Sequence, residues 1–194
     1  MTMYLPGVLR ETSEGLNRIE IQDILFQRRE IQCTGSITTE SASVLSLQLR
    51  YLQQEAPGQE ITLFINSPGG EVDSGLAIYD TMRAIGCPIR TVCTGTAASM
   101  AAILFLSGDK REMLPHSKVM IHDPLIPGGV GGSALTVDAV ARNLMRARQT
   151  IADIIARHTG KTLEEVLAKT ASDSYFDAQE AIDWGLADRI IHQL

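Results

Sequence analysis

Ile61-Thr62-Leu63-Phe64-Ile65 is an almost unbroken apolar run, and it constrains the fold more than any other stretch of the chain. A strand with one wet face alternates apolar and polar residues, so a run of this kind needs cover on both faces. Arg90-Thr91-Val92-Cys93 reads as a second short buried strand. Between them, Leu76, Ile78, Tyr79, Met82 and Ile85 recur at helical spacing and predict a helix over 72–85. A further helix is expected over 97–106, then short strands over 112–114 and 118–121 around Pro115-His116-Ser117. Strand, helix, strand, helix at these intervals predicts an α/β fold with a mostly parallel sheet. Ligands of such sheets meet the carboxyl ends of the strands. The Asn66-Ser67-Pro68-Gly69-Gly70 turn and Ser99 both fall at such ends.

The flanking segments are read in the same way. Residues 1–18 lack periodicity and read as an arm or loop. A short helix is expected over 19–28 and a strand over 30–33, closed by Gly35. Thr38 or Thr39 caps a helix reaching about residue 55, with Val44, Leu45, Leu47, Leu49 and Leu52 on its buried side. Pro127-Gly128-Gly129-Val130-Gly131-Gly132-Ser133 reads as the most flexible stretch. The long helix expected over 136–157 carries an apolar stripe of Val137, Val140, Leu144, Ile151 and Ile154. A helix this long on a small domain projects, and its stripe then needs a partner, so the chain is expected to oligomerise. Thr162 with Glu165 forms a capping box, and a helix over 178–184 stops at Gly185. Neither an internal repeat nor a linker is found, so residues 1–194 are taken as one domain.

Composition narrows the function. A net charge of −6 and the lack of an arginine-rich patch with interleaved aromatics argue against nucleic acid and anionic membrane as partners. No run reaches the ~18 apolar residues of a membrane span. Met1-Thr2-Met3-Tyr4-Leu5-Pro6 has no basic n-region, so no secretory leader is expected. Cys33, Cys87 and Cys93 lack CxxC spacing and read as buried reduced thiols in a cytoplasmic protein, not as a disulfide framework or a zinc site.

A hydroxyl nucleophile needs a base within reach, a group that orients the base, and donors for the oxyanion. Ser99, placed in the first turn of the helix after Cys93, has free N–H groups and the positive helix end beside it. Gly95, Ala97 and Ala98 keep its surroundings low enough for another backbone to approach. Among the histidines, His116 reads as a solvated turn residue, His158 as a helix-end residue suited to the macrodipole, and His192 as part of the tail. His122 differs, because it ends the 118–121 strand at a carboxyl edge, as Ser99 does. The orienting acid stays open between Asp123, which neighbours His122, and Asp173 in Ala171-Ser172-Asp173-Ser174-Tyr175-Phe176.

Gly95-Thr96-Ala97-Ala98-Ser99-Met100, Ser67-Pro68-Gly69-Gly70 and Met120-Ile121-His122-Asp123-Pro124 together resemble the proteolytic subunits of the Clp protease, serine peptidases of crotonase-like fold. Ala77-Ile78-Tyr79-Asp80-Thr81-Met82, Leu114-Pro115-His116-Ser117, His158-Thr159-Gly160 and Glu180-Ala181 follow in the family's order, so the resemblance spans the chain. It implies Ser99 as nucleophile, His122 as base, Asp173 as the orienting aspartate, and the N–H groups of Gly70 and Met100 as oxyanion donors. Gly69, Gly128, Gly129 and Gly131 are the implied substrate-binding backbone. No metal and no cofactor are implied. The resemblance further implies heptameric rings stacked in pairs around a closed chamber. Residues 1–18 would line the axial pore, and residues 125–158, a glycine-rich strand and the long helix, would form an inter-ring handle. No GxxxxGK[ST] occurs, so ATP-driven unfolding is expected from a separate AAA+ unfoldase that delivers unfolded polypeptides.

The chain departs from that pattern at several positions. Asp123 stands where glutamine is usual, and a second carboxylate there could raise the His122 pKa or compete with Asp173. Ala171-Ser172 replaces an Asp-Arg pair that bridges rings, and Pro127 removes a donor from the substrate-pairing segment. Thr62, Ala84 and Glu112 stand where the unfoldase docking site carries aromatics. These departures raise a second reading, a structural or weakly active paralogue that completes a mixed barrel with another subunit type. A third, an acyl-CoA enzyme of crotonase type, would need acidic residues where Ser99 and His122 stand.

Overall fold

The structure is a computed structural model describing residues 7–13 and 15–194. Strands β1 (Gly7–Thr12) and β2 (Gly15–Glu20) form an antiparallel hairpin, pairing Gly7 with Glu20 and Thr12 with Gly15. The sequence there predicts only an arm or loop. Among the described residues the two strands form a sheet of their own and leave Leu9 and Leu16 exposed, so no buried face imposes the alternation that would reveal it. The part of the arm before Gly7 lies outside the described residues.

Helix α1 (Ile21–Gln27) leads into β3 (Glu30–Ile37), α2 (Thr39–Glu55), β4 (Ile61–Gly70), α3 (Val72–Ala84), β5 (Ile89–Ala98) and α4 (Met100–Leu106). Then come β6 (Lys110–Met113), β7 (Lys118–Ile121), α5 (Ala134–Thr159), α6 (Leu163–Thr170), β8 (Ser174–Phe176), α7 (Ala178–Trp184) and β9 (Arg189–Ile190). The main sheet runs β3-β4-β5-β6-β9, all parallel. One edge of β5 serves two strands: Arg90 to Cys93 pair with β6, and Thr96 to Ala98 pair with β7. β8 then returns antiparallel to β7. A mixed α/β architecture with a mostly parallel sheet agrees with the expected crotonase-like class.

Two strands run further than their apolar runs predict. β4 continues through the presumed turn to Gly70, and β5 continues past Cys93 to Ala98. Their register jumps between Ile65–Cys93 and Ser67–Ala97, and side chains mend the ladder there. Asn66 Oδ1 accepts from Thr96 N–H at 3.1 Å, and Thr94 Oγ1 donates to the Ile65 carbonyl at 3.3 Å. Ser67 Oγ likewise donates to the Gly35 carbonyl at 2.6 Å, across the β3 irregularity. Asn and Ser signal turns because they bond to backbone, and here they use that ability inside a sheet.

α4 is buried along its whole length, and α2, α3 and the C-terminal half of α5 pack around it and the sheet. Thr38 caps α2 with Ser41 in a reciprocal box. Its buried side is Ala42, Leu45, Leu49 and Leu52, whereas Val44 and Leu47, expected in the core, are 54% and 59% exposed. The α5 stripe also divides: Ile151 and Ile154 are buried, but Val137 is exposed, and Leu135, ahead of the stripe, is 80% exposed. No strand forms between β7 and α5, so the expected glycine-rich strand is absent among the described residues. The Thr162–Glu165 box starts α6, and Gly185 ends α7 in the left-handed conformation.

Candidate active site

Ser99 is the hinge between β5 and α4, with φ 55° and ψ −125°. It therefore precedes the first helical turn, one step earlier than the sequence suggested. Its N–H donates to the Met120 carbonyl at 2.9 Å, and its own carbonyl accepts from Ala102 N–H at 3.0 Å. The sheet and the helix thus hold the residue from both sides in a conformation that an L side chain rarely adopts. The bond to Met120 also brings Ser99 to the end of β7, where His122 follows. Ser99 Oγ lies 2.8 Å from His122 Nε2. With the His122 proton on Nδ1, Nε2 accepts the hydroxyl proton.

Asp173 reaches the site through the β7–β8 ladder. Ile121 pairs with Ser174 and Met120 with Tyr175, so one further step of that register sets Asp173 opposite His122. His122 Nδ1 and Asp173 Oδ1 are 3.7 Å apart, beyond hydrogen-bond length, and the Asp173 side chain is 60% exposed. Asp123 does not compete for the imidazole. Its Oδ2 accepts from Arg148 Nε at 2.6 Å, its Oδ1 accepts from Thr170 Oγ1 at 2.7 Å, and its N–H donates to the Thr170 carbonyl at 2.7 Å. Neighbouring residues on extended backbone point to opposite sides, and here the carboxylate turns towards α5 and α6.

The end of β4 passes close to the serine. A Cβ on Gly69 would sit 2.5 Å from the Ala98 carbonyl oxygen, 2.7 Å from Ser99 Cβ and 2.9 Å from Met100 N. With φ at 88°, only glycine fits that approach. Met100 is the first residue of α4, so its N–H has no acceptor within the helix. Gly70 follows Gly69 and pairs with Ile37 at the end of β3. Val72, Met100, Ile103, Ile121, Ile151 and Ile155 line a narrow apolar pocket beside Ser99 and His122, with room for about one water-sized group. A Cβ on Gly128, Gly129 or Gly131 would meet no atom within 4 Å, so these three glycines face open space.

His116 and His192 are exposed, in a turn and in the tail respectively. His158 stands in the last turn of α5, as expected, and is half-buried there. Its Nε2 lies 3.1 Å from Tyr79 Oη. Burial, followed by the positive charges of Arg83, Arg111 and Arg157, pushes its pKa from 6.5 to about 4. Glu112, read as part of a docking surface, is buried between Arg90 and Arg189. The roles of Arg148, Thr170 and Asn66 are not legible in the sequence, where Asn66 reads only as part of a turn. Only their positions in the fold give them a role, and no local motif marks them.

Among the described residues no helix is long and apolar enough to cross a membrane. The family model for Clp protease matches residues 13–194, from the hairpin turn through β9 to the last residue. That match takes in every group gathered around Ser99, and the chain belongs to the Clp protease family.

Proposed function

We propose that this Clp-type protease is a serine endopeptidase with Ser99 as nucleophile, His122 as general base and Asp173 as the acid facing it. The observation that carries the reading is the 2.8 Å approach of His122 Nε2 to the hydroxyl of a residue held at positive φ between strand and helix. His122 takes the Ser99 proton as Oγ bonds to the scissile carbonyl carbon. The carbonyl oxygen becomes an oxyanion that accepts from the N–H groups of Gly70 and Met100. His122 then gives its proton to the leaving amine as the C–N bond breaks, leaving an acyl-enzyme. Water, deprotonated by the same imidazole, releases the acid product and restores the hydroxyl.

Within this reading residues 1–194 form one unit, with 1–18 as axial arm and 125–158 as inter-ring handle. Copies assemble into stacked heptameric rings in the cytoplasm, and an AAA+ unfoldase feeds unfolded polypeptide into the chamber for cleavage to short peptides. Exposed Val44, Leu47 and Tyr51 on α2, with Leu135 and Met145 on α5, support burial against further copies. The apolar pocket beside Ser99 supports a small apolar residue on the acyl side of the cleaved bond.

The 3.7 Å gap between His122 and Asp173 favours a second reading, in which the chain alone is poorly poised and gains activity beside a paralogous subunit. Hydrolysis of a fluorogenic peptide by the chain alone, and by the chain mixed with a second subunit type carrying its own serine-to-alanine change, separates the two. Turnover by the chain alone, abolished in Ser99→Ala, supports the first. Turnover that depends on Ser99 but appears only in the mixture supports the second. Turnover indifferent to Ser99 in both overturns the catalytic reading.

A further inference from the structure

We infer that Asp123 is a positioning residue for the His122–Asp173 pair, an inference that rests on the reading of His122 as the base. It joins the strand end that carries His122 to the helix end that leads into Asp173. Two bonds to Thr170 make this joint, and a third adds Arg148. The Asp123 carboxylate takes Thr170 Oγ1 at 2.7 Å and Arg148 Nε at 2.6 Å, and its N–H meets the Thr170 carbonyl at 2.7 Å. Asp123 is the next residue after His122, and Thr170 stands three residues before Asp173.

Two features set this apart from an ordinary surface ion pair, which contributes little. Thr170 is a buried polar residue whose hydroxyl is satisfied by Asp123. Loss of the carboxylate would therefore leave it without this partner in the interior. The turn holding Asp173 is also fastened on its far side, where Ser174 Oγ donates to the Lys169 carbonyl at 2.7 Å and Ser174 pairs with Ile121. Asp173 thus lies on a short loop with both ends fixed, one through Asp123 and the other through β7. At 3.7 Å the imidazole and the Asp173 carboxylate are too far apart to hold each other, so the frame sets their separation. Arg148 brings the long helix into the same frame, since it reaches Asp123 from α5.

The test compares the full-length wild type with Asp123→Ala, Asp123→Asn, Thr170→Val, Thr170→Ser and Ser99→Ala. It uses Michaelis curves on a short fluorogenic peptide and crystal structures of the wild type and Thr170→Val. Asp123→Ala and Thr170→Val are expected to lower kcat about 10- to 100-fold with KM within about twofold, as for a misplacement of catalytic groups. Thr170→Ser, which keeps the hydroxyl, restores kcat. In the Thr170→Val crystal, Asp173 lies at least about 0.5 Å further from His122 than in the wild-type crystal, while Ser99 and His122 keep their contact. If Thr170→Val fails to fold, Asp123→Ala serves for both measurements. Unchanged kcat in Asp123→Ala and Thr170→Val, with Ser99→Ala silent, or an unmoved Asp173, overturns the inference. Turnover by Ser99→Ala equal to wild type rejects the peptidase reading instead, and the crystal structures then decide the clamp by themselves.

Discussion

Ser99 holds a backbone conformation that costs on the order of 1–3 kcal/mol for a residue with a side chain. Glycine relieves that cost, although it also loosens the unfolded chain by about 0.4–1 kcal/mol. Both Ser99→Ala and Ser99→Gly are therefore expected to lose peptidase activity, with Ser99→Gly the more stable of the two by about 1 kcal/mol in chemical denaturation. Equal stability would mean that the positive φ is not strained. Gly69→Ala is expected to lower kcat by about 10²-fold or more, because the added methyl strikes the Ala98 carbonyl and the Met100 amide at the proposed oxyanion site. A kcat within about threefold of wild type would remove that amide from the mechanism. Ser99 and His122 were legible as residues because each ends a recognisable apolar strand. The elbow was not, since propensity cannot distinguish a first-turn serine from one that closes a strand one residue earlier.

The strand and helix elements carry their own pH signatures. Burial pushes Glu112 up, but hydrogen bonds from Arg189 and Arg90 outweigh it and hold the carboxyl below its ordinary 4.5. A carboxylate lowered by folding stabilises above its unfolded pKa, and that contribution disappears as pH falls through the folded value. Glu112→Gln is thus expected to destabilise by roughly 1–3 kcal/mol at pH 7, with the difference from wild type closing in acid. A pH-independent difference in thermal midpoint would contradict the ion triad. His158 works in the opposite sense. The unfolded imidazole binds a proton near 6.5 and the folded one only near 4, so stability falls as pH drops across that window. His158→Gln should flatten that slope, and an unchanged slope would place the acid sensitivity elsewhere. Among the elements, α3, β7, the capping box of α6 and the Gly185 stop of α7 could be read from sequence, since apolar spacing and caps are local. The far end of β4, the β1–β2 hairpin and the outward-facing Val44 and Leu47 could not. Each depends on what lies beside it: a side chain mending a ladder, a strand paired only with its neighbour, or an apolar face left open on a single chain.

At the scale of the whole molecule, apolar surface on α2 and on the N-terminal half of α5 is the feature that a single copy leaves unresolved. Leu135→Glu with Met145→Glu is expected to reduce assembly size in analytical ultracentrifugation while leaving the circular dichroism spectrum unchanged, because both side chains are exposed in one chain. An undiminished assembly would place the contact elsewhere. The length of α5 already points to this open face, but which turns of the helix the protomer itself covers depends on tertiary packing. Family membership makes the molecule a Clp-type protease, and the remaining question is whether the chemistry runs through Ser99. A fluorophosphonate probe, followed by peptide mapping in the mass spectrometer, addresses it most directly. The expected result is a single phosphonylated peptide modified at Ser99 and no adduct in Ser99→Ala or His122→Ala. An adduct on another residue, or labelling of Ser99→Ala equal to wild type, would contradict the account.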